Sequence, residues 1–239
     1  MHARLGNFLF RYRNAIGPVV FVFALLTTHP SYPLGRESLN LLFDVLGIVI
    51  ALLGEALRIL TIGYEYIERG GRDRQVYASR LVQGGVFAHC RNPLYVGNIL
   101  LALGLALIVH STALYLVVLP LIVYAYVAIV AAEELFLRKT FGTEFERYCR
   151  RVNRWVPDWR GWRASIAGMR FSWRRVLVKE YNTIFVVLLA LAAVKLWSDY
   201  AVRGQAVLPP ARTLAIGLCL WLAAYALVRT MKKGGYVKG

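Results

Sequence analysis

The heptapeptide Arg91-Asn92-Pro93-Leu94-Tyr95-Val96-Gly97 gathers a cation, an amide, a phenol and two punctuating residues at the head of a long apolar run. Asn92 suits the N-cap of the helix that follows, and Pro93 suits its first turn, where an N–H would have no partner anyway. A helix N-terminus beside Arg91 presents free N–H groups and a positive dipole end, an arrangement that holds an anion such as a carboxylate. A capped membrane helix with a snorkelling arginine has the same local pattern, so the chemistry depends on a second polar element. That element is Glu133-Glu134, directly after the next apolar run. The pattern marks this as the C-terminal end of a helix, where the dipole opposes negative charge. Glu134 and Arg138 have the i, i+4 spacing of a salt bridge. Neighbouring side chains diverge by about 100° on a helix, so only one of the two glutamates can make that pair. Carboxylates so placed can hold ribose hydroxyls or a cation.

Two helices must carry these groups, over residues 94–109 and 113–132, joined by His110-Ser111-Thr112. A connection that short makes them antiparallel neighbours. The Arg91 and Glu133 ends of the hairpin therefore meet on one side of the membrane. Further apolar runs lie at 15–28, 39–62, 183–197 and 214–228, which gives about six spans of membrane-crossing type. The run at 39–62 contains Asp44, Glu55 and Arg58, costly in a span unless they face protein or water. Glu55 and Arg58, three apart, are spaced to pair.

The 239-residue chain is 58% hydrophobic with a mean hydropathy of +0.51, which excludes an ordinary soluble domain. Its net charge of +16 lies in blocks at 1–13, 63–91, 138–179 and 229–238, while the loops at 29–38, 110–112 and 199–212 hold few basic residues. Blocks that alternate with spans orient a membrane protein with both termini in the cytoplasm. They also attract anionic lipid, and nucleic acid is not expected. The polar stretch from Tyr64 to Arg74 and the tail lysines Lys232, Lys233 and Lys238 belong to these blocks. Residues 1–13 read as an amphipathic lead-in to a retained first span rather than a signal peptide. Trp159, Trp162 and Trp173 among Arg160, Arg163, Arg170, Arg174 and Arg175 read as an interfacial helix with an aromatic belt. Cys90, Cys149 and Cys219 are scattered, so neither a disulfide framework nor a metal site is expected.

The run from Gly84 to Gly97 resembles the G-x-Y/F-x-x-x-R-H/N-P-x-Y-x-G signature of membrane methyltransferases, the family of isoprenylcysteine carboxyl methyltransferases and phospholipid N-methyltransferases. Glu133-Glu134, then Phe141-Gly142, Glu144, Tyr148 and Arg154-Trp155-Val156-Pro157, are similar to the same family's second signature. The resemblance covers roughly residues 40–158. It implies S-adenosylmethionine held at the cytosolic face by His89, Arg91, Asn92, Pro93, Tyr95 and Gly97, with Glu133 and Glu134 gripping it from the other helix. It also implies a lipophilic methyl acceptor, prenylcysteine-like first and aminophospholipid second. Asn92 stands where the family most often has His, and Phe145 where it has Tyr. A carboxylate acceptor needs no base, and an Arg can orient it, with Arg147, Arg151 and Arg154 as candidates. An amine acceptor needs a base, for which Glu133, Glu134 and His89 are candidates. A sterol-type reductase would instead bind NADPH, and the chain has no Gly-rich dinucleotide loop. A non-enzymatic membrane scaffold or transporter would bind no cofactor. The expected architecture is an all-α, polytopic membrane bundle with a cytosolic cofactor pocket. Its divisions are a lead-in and first span at 1–38, a methyltransferase core at 39–158, the Trp/Arg segment at 159–180 and two spans with a basic tail at 181–239.

Overall fold

The computed structural model describes residues 2–65, 77–205 and 208–234. The polar stretch at 66–76 and the tail lysine Lys238 lie outside the described residues. Among those described there is helix and no strand. In chain order the helices are α1 (His2–Thr27), α2 (Asn40–Tyr64), α3 (Pro93–Val109), α4 (Leu119–Arg151), α5 (Trp162–Ser165), α6 (Trp173–Lys179), α7 (Tyr181–Arg203) and α8 (Ala211–Lys233).

Four helical stretches are long and apolar enough to cross a membrane: Glu37–Tyr64, Leu114–Arg151, Tyr181–Arg203 and Ala211–Lys233, with α3 a shorter apolar helix. Leu41, Leu42, Leu52, Leu53, Leu116, Leu121, Leu220 and Leu227 lie exposed on them. Such faces are disfavoured in water and at home in lipid. In lipid, close backbone approach rather than the hydrophobic effect brings helices together, and small residues permit it. The α2–α3 seam shows this directly. A methyl added at Gly97 would sit 2.7 Å from the Gly54 carbonyl oxygen, and one at Gly47 would sit 2.6 Å from that of Gly104. The buried cluster above this seam joins Ala51 and Ala24 to Leu101, Ile108, Val118, Leu191 and Val194, so α1, α2, α3, α4 and α7 share one core. Among the described residues, helix α8 has none that is buried, and it packs on α7 through Tyr181–Tyr225 and Phe185–Trp221 ring contacts.

Three expectations change. Residues 1–13 and the first apolar run form one continuous helix, α1, not a lead-in followed by a separate span. The helix bearing Glu133 and Glu134 does not end there. It runs on to Arg151 because Leu135, Leu137 and Phe141 continue its apolar face, and it bends at Gly142, whose φ of 49° suits glycine. The glutamates are thus mid-helix, and the dipole argument against them does not apply. The Trp/Arg segment is not one interfacial helix but two short ones, α5 and α6, in a strap that folds back on the core. Gly161 and Gly168, both at positive φ, break it into pieces. Ahead of α4, Pro120 has no N–H for the preceding turn, and Leu114–Val118 relaxes into a π turn.

Candidate functional site

The hairpin brings its two polar ends together as its short turn requires. His110 closes that turn in the left-handed region at φ 53°. At the other end the Tyr95 hydroxyl donates to Glu133 Oε1 at 2.7 Å, and Arg91 Nη2 lies 3.2 Å from Glu134 Oε1.

A third segment completes the site. Residues 153–158 run alongside 89–92: Arg91 N–H donates to Asn153 O at 2.9 Å and Asp158 N–H to His89 O at 3.1 Å. Arg154 then reaches across to grip Glu134 with two bonds, Nε to Oε1 at 3.0 Å and Nη2 to Oε2 at 2.5 Å. Glu134 therefore pairs with Arg91 and Arg154, not with Arg138. Two guanidiniums on one carboxylate 10% exposed form a strong charge-assisted cluster. Asn92 occupies the N-cap position of α3 and Pro93 its first turn, but the Asn92 amide makes no capping bond. It donates instead to Arg154 O at 3.1 Å, tying the first motif to the last. Cys90 lies in the same seam with its Sγ 3.5 Å from Trp155 O. Burial pushes the Cys90 thiol up to about 11, against a smaller opposing pull from the Asn92 backbone and Arg91.

Of these groups, Arg91, Asn92, Glu133 and Glu134 line a cavity of about 170 Å³, while Tyr95, Cys90 and Arg154 stand outside its lining. One wall is Arg91, Asn92, Glu133 and Glu134, and the other includes Leu81, Val82, Phe87, Leu137 and Phe145. The loop 77–82 closes it, a contribution that sequence reasoning missed, since these residues follow no period. Gln83 pins that loop to α4, donating to Glu144 at 2.8 Å and accepting from Arg151 at 3.1 Å. Tyr148, whose hydroxyl donates to Phe87 O at 2.8 Å, holds the apolar wall.

Other expected site residues are placed elsewhere. His89 is buried with its ring against Trp159 and Trp162 and its Nε2 2.9 Å from Ser165 Oγ, outside the cavity lining. Its Nδ1 contacts Asp158 O, an acceptor, so Nδ1 carries a proton and donates it there. Gly97 faces Gly54 and Arg58 at the helix seam, and Pro93 is buried at the start of α3. Arg147 is exposed on α4.

The lining can do three things. Its carboxylates suit vicinal hydroxyls. Arg91 Nε, buried and without a hydrogen-bond partner, is a donor suited to a carboxylate. The Leu81, Phe87 and Phe145 side suits a flat base. That is the donor set a nucleoside bearing an amino acid needs, so the residues fit the cofactor the resemblance implies.

Residues 43–144 match the phospholipid methyltransferase family. The chain is 33% identical over 157 residues to the cobalt-zinc-cadmium resistance protein CzcN of Cupriavidus metallidurans, covering 64% of this chain and 67% of that protein. It is 31% identical over 157 residues to the nickel-cobalt-cadmium resistance protein NccN of Alcaligenes xylosoxydans xylosoxydans, covering 64% and 68%. No solved structure matches the chain.

Proposed function

The chain belongs to the phospholipid methyltransferase family, and on that premise we propose that it moves a methyl group from S-adenosylmethionine to a lipophilic acceptor at the cytosolic face of a membrane. The observation that carries this reading is the Glu134 clamp, which joins all three signature segments around one cavity. Arg91, with its unpartnered Nε, would hold the cofactor carboxylate, Glu133 would hold the ribose hydroxyls, and Phe87 and Phe145 would lie on the side of the base. When bound, the cofactor supplies an electrophilic methyl on a sulfonium, open to in-line displacement. The protein's part is then alignment and exclusion of water. Arg154 works as the clamp on Glu134 rather than as an acceptor ligand, which leaves Glu133, held by Tyr95, as the group able to take a proton.

Acceptor class follows from that division. A prenylcysteine carboxylate attacks without losing a proton, whereas an aminophospholipid must give one up. The test supplies methyl-labelled S-adenosylmethionine to the detergent-solubilised protein with a prenylcysteine analogue or phosphatidylethanolamine. Label is expected in one of the two lipids. Glu133→Gln should weaken cofactor affinity whichever acceptor is used, and at saturating S-adenosylmethionine it should abolish transfer to the amine while transfer to the carboxylate persists. Label in neither lipid contradicts the assignment. The relatives' names suggest metal tolerance as the cellular readout, in cells expressing the chain with Glu134 intact or replaced.

A further inference from the structure

Arg58 sits in α2 where α3 and the joint between α6 and α7 converge on it, outside the cavity lining. It is 3% exposed, and Glu180, at the joint between α6 and α7, is fully buried. The Arg58 guanidinium pairs with Glu180, and its Nε lies 3.6 Å from Glu55 Oε2. The same group bonds Asn98 Oδ1 and reaches Leu94 O and Thr183 Oγ1 at 3.4 Å each. Burying this much charge costs several kcal/mol of desolvation in general and favours geometry over net stability. What the geometry specifies is the first turn of α3. Leu94 and Asn98 are one turn apart and bracket Tyr95, the residue that holds Glu133. Arg58 also packs its own stem against Gly97, where an added methyl would meet Arg58 Cγ at 2.6 Å.

We propose that Arg58 and Glu180 are positioning residues: the C-terminal segment, through Glu180, holds Arg58 against α3 and so sets Tyr95 and Glu133 for the cofactor. Glu180 lies outside the residues matched by the family, at 43–144, so the strap and α7 are working parts of this enzyme rather than an anchor. The proposal rests on the cofactor reading of the cavity only for its consequence, not for the positioning itself.

The test uses the full-length protein in detergent and two readouts, amide hydrogen exchange at residues 94–98 without ligand and affinity for S-adenosylhomocysteine. In Glu180→Gln, exchange at 94–98 should rise and affinity should fall, each on the order of tenfold. Asn98→Ala, which leaves no buried charge unpaired, should move both in the same direction and covers the case in which Glu180→Gln does not fold. Lys195→Met is the control for a merely structural role. It breaks a second ion pair to α2, partly exposed on its lysine side, Lys195 Nζ to Asp44 Oδ2 at 3.0 Å, toward the other end of α7 from Glu180. It should leave both readouts within about twofold. Unchanged exchange in Glu180→Gln and Asn98→Ala, or an equal rise in Lys195→Met, overturns the proposal. If the wild type binds no S-adenosylhomocysteine while exchange still responds, the positioning stands and the cofactor assignment falls.

Discussion

Glu134 is the residue on which the site's electrostatics turn. It faces two guanidiniums, one of them the nearly buried Arg91, 11% exposed. Replacing it by Gln keeps the shape and removes the charge, so Arg91 is left buried without its counter-ion. The expected cost is about 3 kcal/mol of stability, the low end for breaking a buried pair, because Arg154 is 45% exposed and rehydrates. Thermal or denaturant unfolding of Glu134→Gln in detergent measures it, and a change below about 0.5 kcal/mol would mean the clamp is a surface contact. Cys90 gives a pH prediction of definite sign. Its thiol is raised to about 11, so at pH 8 the thiolate fraction is about one in a thousand, far below that of an ordinary cysteine. With Cys149 and Cys219 replaced by Ser, maleimide should label native Cys90 slowly at pH 8, with the rate rising through pH 9 and 10 as the thiolate forms. Rapid labelling of Cys90 in that native protein at pH 8 would show that the seam between 89–92 and 153–158 is open.

The helices α2 and α3 carry the second level of the account. Their backbones touch at Gly47–Gly104 and Gly54–Gly97, so a side chain at any of the four must push the pair apart. Gly97→Ala is expected to lower stability by about 1–3 kcal/mol. Because Gly97 follows Tyr95 by half a turn, it should also weaken cofactor binding, whereas Gly104→Ala, farther along the same seam, should destabilise alone. Melting curves and ligand titration of the two variants separate these effects. The ends of α2 and α3 were legible in the sequence, since long apolar runs bounded by Pro and polar residues leave little choice. The meeting of the Arg91 and Glu133 ends of the hairpin was legible too, because His110-Ser111-Thr112 is too short for any other return, although the Tyr95–Glu133 bond itself was not. The far end of α4 was not. Glu133-Glu134 looks like a stop, but the apolar face continues past them, and their partners Tyr95, Arg91 and Arg154 come from segments distant in sequence. Glu55–Arg58 was readable from its spacing, but Glu180 was not, lying 122 residues from Arg58 in sequence.

On the scale of the whole molecule, the core ends at α7. Helix α7 is fastened at both ends, by Glu180 and Thr183 to Arg58 and by Lys195 and Ser198 to Asp44 and Ile108 O. Among the described residues, helix α8 is held by aromatic contacts, the Lys232 ammonium over the Tyr181 ring and the Tyr225–Asn182 hydrogen bond. A chain stopped after residue 208 should therefore keep its cofactor affinity within about twofold. Size-exclusion behaviour and ligand titration of that shortened protein check this. A larger loss would make α8 part of the enzyme. The loop at 77–82, the clamp on Glu134 and the Arg58 network all serve one cavity, and whether that cavity holds the methyl donor decides the account. The most direct measurement is calorimetric titration of the full-length protein in detergent with S-adenosylhomocysteine, with NADPH as comparison and Glu134→Gln as control. Micromolar binding of S-adenosylhomocysteine alone, weakened in the variant, is the predicted result. Binding of NADPH alone, or of neither, would contradict it.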